Sequence, residues 1–145
     1  MKILFLGDVV GISGCSKIFR NLKSEVEKRK IDFVIVNGEN SAEAGVGITE
    51  EICKDFFNCG VNVITSGNHV WDQKEIMSYI EKENRLLRPY NLFKPSPGKG
   101  FEIYKTSNNI NIGVLNLMGN VFMKKCDDVF EVAKKFLEKN SLKKD

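Results

Sequence analysis

Three short apolar runs, each followed within two residues by a glycine and a polar cluster and then by a helical pattern, limit what this chain can fold into. The runs are Ile3 to Leu6, Phe33 to Val36 and Val61 to Thr65, the second and third rich in β-branched residues. Such near-continuous runs suit parallel strands buried on both faces. Between them, Ile18, Phe19, Leu22 and Val26 share a helical face behind Ser16, which is expected to cap it. Thr49 precedes Glu50 and Glu51, which favour a helix N-terminus, and Gly60 suits that helix's end. Asp72, with Glu75 three residues on, predicts a carboxylate form of the capping box for a third helix. Strands alternating with helices over short links imply an α/β layered fold with a mostly parallel sheet.

The second half reads differently. Residues 84–99 hold Pro89, Pro95, Pro97 and Gly98 and are expected to be a loop. Phe101 to Tyr104 and Ile110 to Leu117 then flank Ser107-Asn108-Asn109, a hairpin turn because Asn tolerates positive φ. A last helix is expected near Asp127-Asp128, with Glu131 completing a cap on Asp128 and Val129, Ala133, Phe136 and Leu137 forming an apolar face. There is no internal repeat, so 1–145 reads as a single domain. The sequence stops at Lys143-Lys144-Asp145, directly after that helix. A further strand is expected there, so the sheet is predicted to be incomplete at its C-terminal side.

Composition sets the compartment and excludes some classes. With 42% hydrophobic and 28% charged residues among 145, the chain is that of a globular domain with a real core. No apolar run approaches the ~18 residues of a membrane span. The N-terminal stretch ends at Gly7-Asp8, as a core strand does and a signal peptide does not, so a cytoplasmic protein is expected. Cys15, Cys53, Cys59 and Cys126 form no Cys-x-x-Cys pair and have one histidine to join them, which argues against structural zinc. Cys53 and Cys59 read as small packing residues. Of the net charge of +3, most falls in 124–145, where the lysines suggest a solvated helix face rather than nucleic-acid binding.

Chemistry is concentrated where the three runs end. Gly7-Asp8 follows the first, Asn37-Gly38-Glu39-Asn40 the second, and Ser66-Gly67-Asn68-His69 the third. Ligands in open α/β sheets sit beyond the carboxyl ends of the strands. Oxygen donors with one imidazole suit a pair of divalent cations such as Mn or Fe. A glycine before each cluster is expected to let the backbone turn sharply there. Each residue also has a plainer reading. Asp8 can cap a helix, Glu39-Asn40 can form a solvated turn, and a lone histidine can be a hydrogen-bonded structural one. Asp72 reads as the helix cap and Trp71 as packing. A dinucleotide fingerprint is excluded, because Gly7, Gly11 and Gly14 have the wrong spacing and Asp8 sits where pyrophosphate belongs.

Together, Gly7-Asp8-Val9-Val10-Gly11, Asn37-Gly38-Glu39-Asn40 and Gly67-Asn68-His69-Val70-Trp71-Asp72 resemble the calcineurin-like metallophosphoesterases. They are most similar to the bacterial subgroup that includes YmdB-type 2′,3′-cyclic-nucleotide phosphodiesterases. The likeness continues through Leu87-Arg88-Pro89, Pro97-Gly98-Lys99-Gly100 and Leu115-Asn116-Leu117-Met118-Gly119. The broader superfamily has Asp-x-His at the first strand end, and Val10 in the histidine position favours the subgroup. The resemblance implies a metallophosphoesterase-like sheet and hydrolysis of a phosphodiester, with a cyclic nucleotide as substrate. It implies two metal ions, Fe or Mn, with Asp8 binding one, Glu39 bridging both, Asn40 completing the first metal's ligands from this chain and Asn68 binding the second. His69 is implied to be the proton donor to the leaving oxygen.

The resemblance also brings a discrepancy. Such enzymes supply further histidines from a Phe-His-Gly-type block and a Gly-x-His-x-His block, and His69 is the only histidine in this sequence. The chain is therefore expected to be an N-terminal portion that needs a missing C-terminal half, or partners in a homo-oligomer, to complete the site. A non-catalytic remnant or interaction module is the alternative.

Overall fold

The computed structural model describes residues 1–93, 95–123 and 125–140. Lys124 and Lys143-Lys144-Asp145, part of the basic tail noted above, lie outside the described residues. Four parallel strands form the main sheet: β1 (Ile3–Leu6), β2 (Phe33–Asn37), β3 (Val63–Thr65) and β4 (Leu86–Leu87), in that spatial order. A separate antiparallel pair, β5 (Phe101–Lys105) and β6 (Asn111–Leu115), turns through Asn109 at φ 66°. The helices are α1 (Gly11–Arg29), α2 (Glu50–Asn58), α3 (Ile76–Ile80) and α4 (Val129–Lys139).

The strand periodicity of two sorts side chains into two cores. On one face, Leu4, Leu6, Val34, Val36, Ile64 and Leu86 meet Leu22 of α1, Phe56 of α2 and Ile76 and Ile80 of α3. On the other, Phe33, Ile35, Val63 and Leu87 meet Tyr104 of β5 and Ile112 and Val114 of β6. Beyond that pair, Phe136 of α4 packs edge-on against Phe101 and Tyr90. The order of layers is thus helices, parallel sheet, hairpin, helix.

The expected α/β layering is present, with its hairpin, and four local expectations are corrected. The loop expected over 84–99 contains β4, whose two residues pair with Ile64 and Thr65. So short a strand, followed by Pro89, carries no readable period. α1 starts at Gly11 rather than near Ser16, and its N-cap is Val10 with no side-chain bond. Its start is held by the loop after β2 instead, through Gly11 N–H donating to the Asn40 carbonyl at 2.9 Å. That also removes the capping role considered for Asp8. α3 has Glu75 at its N-cap without a side-chain bond, so Asp72 caps nothing. On α4, Leu137 of the expected apolar face is exposed.

Other caps follow the sequence. Thr49 accepts from Ile52 N–H at the start of α2, and Gly60 follows its end at φ 107°. Asp128 accepts from Phe130 and Glu131 N–H at the start of α4. Burial pushes the Cys15 thiol up to about 11 and raises that of Cys53 as well, which leaves them inert packing groups. Among the described residues no helix is long and apolar enough to cross a membrane.

Candidate metal centre

The carboxyl ends of β1, β2 and β3 lie side by side, because β1 pairs with β2 from Ile3 to Leu6 and β2 with β3 up to Asn37 and Thr65. Beyond those ends the connecting loops stay linked. Val9 N–H donates to the Asn37 carbonyl at 3.0 Å, and Gly38 N–H to the Thr65 carbonyl at 3.0 Å. Val10 and Asn40 form a further parallel bridge. The polar clusters are therefore fastened to one another by backbone, not merely near in sequence.

Asp8 has φ 37°, unusual for a non-glycine residue. Backbone in such sparsely populated regions concentrates at functional sites. Its carboxylate accepts from Asn40 Nδ2 at 2.7 Å. With its nitrogen committed to Asp8, Asn40 is left with a buried Oδ1 that no described group meets. A buried amide oxygen without a donor is costly, and such an oxygen is a ligand that a hard cation accepts. Glu39, half-buried, accepts from His69 N–H through Oε1 at 3.3 Å, which joins the second cluster to the third. The half-buried Asn68 precedes it.

The glycines act differently from expectation. Gly7, Gly38 and Gly67 have no left-handed backbone; the left-handed turn falls on Asp8 itself. Gly67 serves close approach, since a Cβ there would overlap the Glu39 carboxylate. Gly38 is closely packed too, a Cβ falling 2.9 Å from Ile48 Cδ1.

His69 Nδ1 lies 2.5 Å from Asp72 Oδ2. This contact replaces the helix cap that the sequence suggested for Asp72. The signal was present as a histidine and an aspartate three residues apart, the reach of one tight turn, and Asp72 N–H does donate to the His69 carbonyl at 3.1 Å. Trp71 packs on the core as expected.

Asn116, just after β6, has a role that the sequence reading did not assign to it. Its Nδ2 donates to the carbonyls of Ser66 at 2.9 Å and Leu87 at 3.0 Å, tying the hairpin to the ends of β3 and β4. Ser66 Oγ donates to the same Leu87 carbonyl at 2.8 Å.

The candidate donors are two carboxylates and two amides, and among the described residues no three His, Cys, Asp or Glu side chains cluster. Hard oxygen donors of this kind fit Mn, Fe or Mg better than a thiophilic metal.

Over residues 4–145 the sequence matches the profile of the family described as YmdB-like protein. The chain belongs to the YmdB-like family. It is 42% identical over 130 residues to a 2′,3′-cyclic-nucleotide 2′-phosphodiesterase of Bacillus subtilis (strain 168), a match covering 90% of this chain and 48% of that protein. The crystal structure of a novel phosphatase from Mycoplasma pneumoniae superposes with a TM-score of 0.87 at 34% identity, over 97% of this chain and 51% of the other. That of a hypothetical protein from Thermus thermophilus gives 0.86 at 33%, over 95% and 53%. The chain spans about half the length of the curated relatives it matches.

Proposed function

We propose that this chain carries one side of a metal-dependent phosphodiesterase site that hydrolyses a small phosphodiester, a cyclic nucleotide by analogy with the Bacillus relative. The observation that carries the reading is the Asp8–Asn40 contact, which commits the amide nitrogen and leaves Oδ1 buried with no described partner. Asp8 and Asn40 would hold one divalent cation, Mn or Fe, Asn68 a second, and Glu39 would span both. A bound pair of such ions supplies charge neutralisation and a hydroxide at neutral pH.

The remaining roles belong to this chain's own groups. An ionised Asp72 carboxylate can only accept, so it would hold a proton on His69 Nδ1 and fix the ring, leaving Nε2 as the nitrogen to give a proton to a departing alkoxide. Asp72 is thus a positioning residue for His69. Glu39 reinforces the arrangement by holding the His69 backbone from the neighbouring strand end. The histidine blocks implied by the resemblance are absent from this sequence, so the complete site requires donors from elsewhere.

Calorimetric titration with Mn(II) tests the ligand assignment on this chain alone. Fewer than two ions are expected per chain, with Glu39→Gln weakening binding more than Asn40→Ala, because a carboxylate brings charge and an amide only a dipole. Equal losses would remove Glu39 from the bridging role. Once the rest of a relative's chain is supplied, His69→Ala is expected to lower kcat by about 10²–10⁴ with metal content unchanged. Loss of metal in that variant would make His69 a ligand and defeat the proton-donor assignment.

A further inference from the structure

Arg88, directly after β4, is a buried cation without an acid. The residue is 7% exposed. Its Nε donates to the Gly98 carbonyl at 3.2 Å and Nη1 to the Pro89 carbonyl at 2.8 Å, while Nη2 has no partner among the described residues. Those carbonyls orient the guanidinium but leave its charge in place, and a buried charge without a counter-charge is costly. Burial accordingly lowers the Arg88 pKa from the ordinary arginine value. The contrast lies on the surface, where the exposed Arg29 and Arg85 each hold a glutamate, Glu25 and Glu83.

The unmatched guanidinium lines a pocket of about 380 Å³, within the range of roughly 300–1,000 Å³ typical of small-molecule sites. Three segments distant in sequence meet there: the residues after β4, the start of β5 and the last turn of α4. Lys99 and Lys139 add two cations, and no Asp or Glu belongs to the lining. Glu102 lies 2.5 Å from Lys99 Nζ and offsets that lysine. Arg88 and Lys139 are thus left uncompensated among the described residues. Tyr90, Phe101 and Phe136 supply the apolar wall, with Phe136 edge-on to the other two rings. No residue of the pocket belongs to the clusters around Asp8, Glu39 and Asn68.

Guanidinium and ammonium groups together suit phosphate oxygens, and aromatic walls suit a flat ring. A phosphate monoester carries a charge of about −1.5 to −2 at neutral pH, which matches the two unpaired cations. We infer that this pocket binds a nucleoside monophosphate, its phosphate on Arg88 and Lys139 and its base against Phe101 and Phe136. Binding there needs no metal and does not rest on hydrolysis at the strand ends.

The test is an NMR titration of this chain with adenosine monophosphate in metal-free buffer. Saturable shifts are expected at the Gly98, Gly100 and Phe136 amides, with an affinity that falls as salt is added. Inorganic phosphate and adenosine, each lacking one part of the ligand, should bind at least about tenfold more weakly. Arg88→Gln should weaken adenosine monophosphate by at least about tenfold as well, a charge-assisted contact being lost. Arg88 also braces the loop at Gly98, so that variant is compared only if its circular dichroism matches the wild type. Lys139→Glu, at an exposed position, keeps the fold and should lower the affinity at least about fivefold. Absence of saturable shifts, shifts confined to Asp8, Asn40 and Asn68, or affinity indifferent to Lys139→Glu overturns the proposal. Phosphate or adenosine binding as tightly as the nucleotide overturns it too.

Discussion

At the residue scale the site depends on an absence of atoms at Gly67. The three atoms a Cβ there would meet all belong to the Glu39 carboxylate, the far end of a flexible side chain rather than backbone. Gly67→Ala should therefore be absorbed by Glu39 swinging away, with a loss of stability under about 1 kcal/mol. The Mn(II) affinity should fall at least about tenfold, because the proposed bridging ligand has left its position. Parallel thermal melts and metal titrations separate the two effects. An unchanged affinity would mean that Glu39 does not hold metal. The sequence revealed these residues but misassigned the reason for the glycine, since a close approach between two strand ends has no local signature.

At the element scale, what could be read from sequence was what is written locally. The Thr49 and Asp128 caps are visible as an oxygen-bearing side chain before a helical period, and both bond as expected. The start of α1 is not local: the Asn40 carbonyl, from the loop after β2, takes the Gly11 N–H and lets the helix begin well before Ser16. Two substitutions make that distinction measurable. Thr49→Ala should cost about 1 kcal/mol, the loss of one N-cap bond. Ser16→Ala, a cap by sequence but a position within α1 in the structure, should be neutral or stabilising by up to about 0.5 kcal/mol, since alanine is the better helix former. Urea denaturation of both variants decides the matter. Destabilisation by Ser16→Ala as large as that by Thr49→Ala would return the helix start to Ser16.

At the scale of the whole molecule, the site and the hairpin are one mechanical unit, and Asn116 couples them. Its side chain reaches from the end of β6 to carbonyls at the ends of β3 and β4, directly before Gly67-Asn68-His69 on one side and Arg88 on the other. The coupling has no local signature in the sequence, because the partners of this asparagine lie 50 and 29 positions away. Asn116→Ala removes both donors. Leu87 keeps the Ser66 hydroxyl, whereas the Ser66 carbonyl loses its bond from the Asn116 amide, so a destabilisation of about 1–3 kcal/mol is expected. Asn116→Asp should be worse, since a carboxylate has no N–H to offer and faces two carbonyl oxygens. The readout that separates coupling from simple destabilisation is metal binding measured well below the melting transition. If Asn116 positions the third strand end, Asn116→Ala weakens Mn(II) binding even where the chain is fully folded, and the loss tracks faster amide exchange at Asn68 and His69. A folded variant with wild-type affinity and exchange would reduce Asn116 to a stabilising bond between layers and leave the site held by its strands alone.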